Sequence, residues 1–167
     1  ETVCTMDNYS KNFFDRKQQK TNLITESNRK KFLRQDSKRF GEYMIVKLNM
    51  IHSYLKNFEY VVYLDGDIVI KNEITNYLVK SMGSLDLLIQ NDQNPEKPDI
   101  EYLCAGFMMI KSNNKTLNFF DTSKIDNKQL MEGLHDQGYI NNNKKSLNYE
   151  KLPLDLFPNG PYFYENS

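Results

Sequence analysis

A chain of 167 residues, 39 % of them hydrophobic and 13 % aromatic, can bury one substantial core without any tryptophan. Its 22 basic residues balance its 22 acidic ones, which excludes the overall basic field of a nucleic-acid or membrane-surface protein. No stretch is long and apolar enough to span a bilayer, no signal peptide is visible, and two cysteines, Cys4 and Cys104, are too few for a disulfide framework and read as buried thiols.

In chain order, Thr2 to Met6 reads as a short strand ending at Asp7 and Asn8. A polar stretch follows as far as Phe40, with a helix expected only around Arg29 to Leu33. It holds a basic cluster, Arg29, Lys30, Lys31, Arg34, Lys38 and Arg39, which reads as a solvated face or as an anion-attracting rim. From Glu42 a helix is clearer, because Met44, Leu48, Ile51 and Leu55 fall on one face, with Lys47 and Lys56 elsewhere. Tyr60 to Leu64 is a continuous β-branched and aromatic run, which predicts a strand covered on both faces. A helix over Glu73 to Lys80, a strand over Leu85 to Ile89 and a Pro- and Asn-rich loop over Asn91 to Asp99 come next. Phe107 to Ile110 reads as another strand, and Lys115 to Asp121 as a helix capped by Asn113 or Asn114. The alternation predicts an α/β fold, a mixed sheet flanked by helices, in a single domain over residues 1–167 without repeats or a linker.

The chemistry-bearing feature is Asp65-Gly66-Asp67, set where the Tyr60–Leu64 strand ends and followed by Ile68, Val69 and Ile70. In open α/β sheets ligands bind at the carboxyl ends of strands. Carboxylates in apolar surroundings need a partner, and a hard cation such as Mg²⁺ takes one or two of them while substrate phosphates complete its shell. A metal-assisted phosphate site is therefore expected. An EF-hand is excluded, because Val69 and Ile70 stand where oxygen ligands and glycine are needed. A haloacid-dehalogenase-like phosphatase, with Asp65 as nucleophile, usually continues with a small or hydroxylated residue rather than an apolar run. The plainest alternative is a turn with solvated acids.

Lys47 in a helix, then YLDGDIVI, then Cys104-Ala-Gly-Phe-Met-Met-Ile, then His135-Asp-Gln-Gly-Tyr-Ile-Asn141, then Leu156-Phe-Pro-Asn-Gly160 resembles the nucleotide-diphospho-sugar transferases of the GT-A fold. The likeness runs from Phe40 onward and is to the retaining branch that includes arabinosyl-, xylosyl- and galactosyltransferase-like proteins, more distantly to glycogenin-like enzymes. It implies a Rossmann-like mixed sheet and a metal-dependent glycosyltransferase. Such an enzyme moves a hexosyl or pentosyl group from a nucleotide-diphosphate donor to a hydroxyl of a glycan, protein or small molecule, with retention.

The resemblance assigns Mn²⁺ (or Mg²⁺) to Asp67 and Asp65, with Asp65 also on the donor ribose. Gly66 leaves room for the nucleotide, although a turn glycine would look the same. Lys47 matches a basic position facing the donor, although an exposed helix lysine is commoner. Ala105 and Gly106 match small residues lining the sugar pocket, or pack the sheet tightly, and Cys104 replaces the asparagine usual before them. Asp136 and Gln137 match the groups at the reacting carbon, while an acid at a helix N-terminus is also favoured by the dipole. His135, Asn159 and Gly160 match positions bordering the acceptor, or serve structure and turn geometry.

Two departures accompany the likeness. An upstream strand and base-contacting loop have little room before Thr2, so an N-terminal strand is expected to be lacking, and no histidine after Asn141 offers a late metal ligand. The chain opens on Glu rather than Met, as an excised piece would, and the sequons at Asn8 and Asn114 do not settle compartment. A soluble domain, cytoplasmic or Golgi-luminal within a longer protein, fits. The alternative of another class is a module of the same fold that binds nucleotide sugar or glycan without turnover.

Overall fold

The computed structural model describes residues 3–5, 16, 21–23, 38–93, 97, 99–126, 128, 130 and 135–166. The chain divides into two compact units, Glu1–Arg34 and Gln35–Ser167. In the first, β1 (Val3–Thr5) pairs in parallel with β2 (Thr21–Leu23). The expected first strand is thus present, and β2 is a strand too short to show periodicity in sequence. The helix expected at Arg29 to Leu33, and Arg29, Lys30, Lys31 and Arg34 of the basic cluster, lie outside the described residues.

The second unit starts with helix α1 (Lys38–Leu55), four residues earlier than its apolar stripe announced. Then come β3 (Tyr60–Leu64), α2 (Thr75–Met82), β4 (Leu87–Asn91), β5 (Leu103–Lys111) and α3 (Asn114–Phe119). Helix α4 (His135–Asn143), β6 (Tyr149–Leu152) and α5 (Gly160–Asn166) complete it. The four strands lie in the order β3-β5-β4-β6. Strand β5 is antiparallel to β3 and β4, and β6 is parallel to β4, so the sheet is mixed and the architecture α/β.

Each strand of the centre feeds two cores because its side chains alternate between faces. Leu87 and Ile89 of β4, with Met108 and Ile110 of β5, pack beneath Leu48, Ile51 and Leu55 of α1, joined by Phe119, Phe120 and Ile140. Leu88, Phe107 and Met109 face the other way, onto Leu78 and Met82 of α2 and onto Leu152 and Phe157. Each such side chain contributes about 1.5–3 kcal/mol by leaving water. Coverage of both faces explains the unbroken apolar runs of β4 and β5.

Strand β3 does not share that coverage. Val61 and Tyr63 pack against the α1 core, but Val62 and Leu64 on the opposite face are 45 % and 37 % exposed. Among the described residues β3 pairs only with β5, so the reading of a strand buried on both faces is corrected to a half-covered one. Its β-branched composition is shared by both kinds of strand, and only the position of α2 over the sheet decides between them.

The register between β4 and β5 breaks once. Ile89 stands opposite Met108, but Gln90 stands opposite Cys104. Ala105, Gly106 and Phe107 therefore arch away from β4, as a bulged segment does. Strand β3 ends at Leu64 opposite Phe107, so among the described residues the backbone of Ala105 has no ladder partner on either side.

Candidate active site

The break in the sheet is where the side chains of interest meet. Asp65 leaves β3 with its N–H donating to Gly106 O at 2.8 Å, and the chain turns at once, Ile68 N donating to Asp65 O at 3.2 Å. The turn exposes Gly66 and Asp67, and it leaves Val69 and Ile70 78 % and 49 % exposed. The expectation that apolar neighbours keep the acids from full solvation holds for Asp65, which is half-buried, and is corrected for Asp67, which faces water.

Lys47 is the largest surprise of α1. It is only 4 % exposed, although its place beside the apolar stripe suggested a solvated lysine. Its ammonium donates to Ala105 O at 2.9 Å and lies 2.6 Å from Asp136 Oδ2 and 3.6 Å from Asp65 Oδ1. It also sits 4.1 Å from the ring centroid of Tyr63, a cation–π contact. A buried ammonium is tolerated only when paired and hydrogen-bonded, and the arched strand supplies the carbonyl that completes its shell.

The other half of the arch is held by α4. Gln137 Oε1 accepts Ala105 N at 3.2 Å, and one turn later Asn141 accepts Leu103 N at 3.0 Å and donates to Leu103 O at 2.8 Å. Residues two apart on a strand and four apart on a helix advance by similar distances, so two amide side chains continue the edge that β3 leaves open. Gln137 Nε2 donates to Asp92 Oδ2 at 3.1 Å, so both ends of its amide are engaged. Burial pushes the Asp92 carboxyl above its ordinary range, against the opposing effect of the Gln137 bond.

Asp136 lies in the first turn of α4 and is 5 % exposed. His135 just before it has φ +53°, a left-handed conformation costing about 1–2 kcal/mol in a non-glycine residue. Its ring meets Phe40 edge-on at 5.0 Å, and its Nδ1 is buried with no hydrogen-bond partner among the described residues. Asn159 and Gly160 stand apart from this cluster in sequence and role: Asn159 Oδ1 accepts Tyr162 N at 2.9 Å, capping α5. Gln90 Nε2 donates to Pro158 O at 3.0 Å, which ties their loop to the end of β4.

The structure thus brings together Lys47, Asp65, Ala105, Gly106, Asp136 and Gln137. It adds three residues that sequence reasoning did not place in the site. Tyr63 donates its hydroxyl to Asp65 Oδ1 at 2.7 Å, Asp92 anchors Gln137, and Asn141 clasps Leu103. Tyr63, two residues before Asp65, and Asp92, the first acid after the apolar run of β4, were visible as signals of strand alternation and strand end.

Charge is unevenly distributed here. Asp65, Asp136 and Asp67 all act on the Tyr63 phenol, which burial and then the Asp65 bond push above its usual range. Asp92, Asp65 and Lys47 all act on Cys104, whose thiol burial pushes up. Cys104 is half-buried rather than buried, and its Sγ accepts Gly106 N at 3.3 Å. With Asp65 and Asp136 on the Lys47 ammonium and Asp67 and Asp92 acting on the adjacent Tyr63 and Cys104, the described residues leave the site acidic. Among the described residues no group of three or more His, Cys, Asp or Glu side chains converges as a ready cage for a metal.

Two carboxylates at a turn nevertheless fit a hard cation whose other ligands come from phosphate and water. Gly106 leaves space for one of them, since a β-carbon there would come within 2.9 Å of Asp65 Oδ2.

No curated protein and no solved structure matches the chain. The family model of the nucleotide-diphospho-sugar transferases matches residues 2–160, a span that takes in every residue of the cluster at the arch, and the chain belongs to that family.

Proposed function

We propose that the chain is a divalent-cation-dependent glycosyltransferase. It moves a hexosyl or pentosyl group from a nucleotide-diphosphate donor to a hydroxyl acceptor, with retention, which rests on family analogy. The observation that carries the cation dependence is the acidic character of the site: Asp65 and Asp136 flank the Lys47 ammonium, which Asp136 already claims at 2.6 Å, and Asp67 and Asp92 add their charge at the neighbouring Tyr63 and Cys104. A diphosphate is repelled by such a cluster unless a cation lies between them.

Asp65 and Asp67 are the residues that would hold Mn²⁺ or Mg²⁺, which when bound neutralises the charge developing on the leaving diphosphate. Gly66 and Gly106 keep side chains out of the donor's way, and Ala105 lines the sugar. Asp136 is assigned to the reacting carbon, where a carboxylate favours oxocarbenium character. Lys47 orients that carboxylate through their ion pair rather than reaching for phosphate. Gln137, assigned with Asp136 to the reacting carbon, has both amide ends engaged and acts by fixing Ala105. His135, Asn159 and Gly160 are assigned to the acceptor side.

The test is a thermal-shift panel of UDP-, GDP- and other sugar nucleotides with and without Mn²⁺, followed by turnover and NMR assignment of the product's anomeric configuration. Ligands that bind the native state raise its apparent stability. A Mn²⁺-dependent shift followed by transfer with retention is expected. A shift without transfer would assign the chain to the binding-only alternative, and inversion would remove the retaining assignment.

A further inference from the structure

Tyr63, the last residue but one of β3, packs its ring against the α1 core, and its side chain touches both charges beside the arch. Its face carries the Lys47 ammonium at 4.1 Å, and its hydroxyl donates to Asp65 Oδ1 at 2.7 Å. Lys47 and Asp65 are 3.6 Å apart, longer than a charge-assisted hydrogen bond, so Tyr63 supplies the shorter link between them.

An aspartate can present either oxygen by turning about its side-chain bonds. Here Oδ1 is drawn inward by the phenol and the ammonium. Oδ2 is left over Gly106, at the place where a β-carbon would come within 2.9 Å. The same ring keeps the ammonium between Asp65 and Asp136, whose Oδ2 lies 2.6 Å from it.

We infer that Tyr63 is a positioning residue for donor binding: it clamps the Asp65 carboxylate with Oδ2 turned toward the donor and seats the Lys47 ammonium on its ring. Tyr63→Phe keeps the ring and its packing and removes only the hydroxyl. Asp65 then keeps only the longer Lys47 contact on Oδ1 and turns more easily, so a ligand held through its carboxylate loses affinity while the fold persists.

The donor role of Asp65 rests on the transferase reading, so the experiment separates the two. Wild type, Tyr63→Phe, Asp65→Asn and the double variant are titrated calorimetrically with UDP and GDP, with and without Mn²⁺, and each is unfolded in urea. Tyr63→Phe is expected to weaken Mn²⁺-dependent diphosphate binding about tenfold, the scale of one hydrogen bond to a charged group. The double variant is expected to bind no more weakly than Asp65→Asn, and its urea midpoint to shift by less than the sum of the single shifts. Wild-type affinity in Tyr63→Phe, or additive losses, would overturn the inference. Absence of Mn²⁺-dependent binding in the wild type would instead defeat the cation-dependent donor reading. The urea midpoints would still decide the clamp, non-additive shifts supporting it and additive ones overturning it.

Discussion

At the residue scale, the buried pair of Lys47 and Asp136, 4 % and 5 % exposed, sets the stability of the site. Replacing Lys47 by Met strands a buried carboxylate, a change that costs about 3–5 kcal/mol; urea denaturation of Lys47→Met against wild type measures it, and a loss under about 1 kcal/mol would mean that water reaches Asp136. Asp67 is the opposite case. It is exposed at a turn, so Asp67→Ala is expected to change stability by less than about 0.5 kcal/mol while abolishing Mn²⁺-dependent donor binding. Unaltered binding in that variant would remove Asp67 from the site. The place of Asp65 and Asp67 at one strand end was legible from sequence, because both directly follow the apolar run of β3. The burial of Lys47 was not, because the carbonyl it donates to lies 58 residues further along the chain.

At the scale of elements, local signals were reliable where the bonds themselves are local. Asn113 caps α3 by accepting Lys115 N and Thr116 N, while its own N–H donates to Thr116 Oγ1 at 3.0 Å. Asn113→Ala is expected to cost about 1–2 kcal/mol, seen as a lower urea midpoint. Asn113 Nδ2 also donates to Asp86 Oδ1 at 2.8 Å, which keeps the expected cost toward the upper end. Strands were foreseen with shifted ends: β5 begins at Leu103 rather than Phe107, and β4 spans Leu87–Asn91. The four extra residues of β5 carry the arch, and what holds them is the α4 side chains Gln137 and Asn141, which no periodicity announces. Gly106→Ala tests the arch directly. Its new methyl meets the Oδ2 end of the Asp65 side chain rather than backbone, so the urea midpoint should change little while Mn²⁺-dependent nucleotide affinity falls. Equal affinity would show that the carboxylate has room to spare.

Across the whole second unit, a surface network adds a pH dependence. Glu101, just before β5, accepts the Tyr149 hydroxyl of β6 at 2.6 Å and pairs with Lys144 at 2.9 Å and Lys151 at 3.4 Å. The Tyr149 bond, then Lys144, pulls its carboxyl from 4.5 down to about 2, and burial with the Glu101 bond pushes the Tyr149 phenol up to about 12. Because the folded state holds Glu101 ionised below the pH at which the unfolded chain protonates it, this contribution is complete above pH 4.5 and is lost as pH falls toward about 2. Urea midpoints followed from about pH 5 to about pH 2 should fall less steeply in Glu101→Gln than in wild type; parallel curves would show that the network is idle.

The sequence by itself determined the α/β class, the apolar strands and helix faces, the capped α3 and the acidic turn after β3, because periodicity, turn chemistry and short-range bonds are written in adjacent residues. The tertiary structure alone decided three things: that Lys47 is buried between two carboxylates, that β5 arches at Ala105 and Gly106, and that Tyr63 and Gln137 reach into the same place. Those outcomes come from groups far apart in the chain meeting across a sheet, where the need to pair each buried charge and backbone group is settled only once the elements have packed.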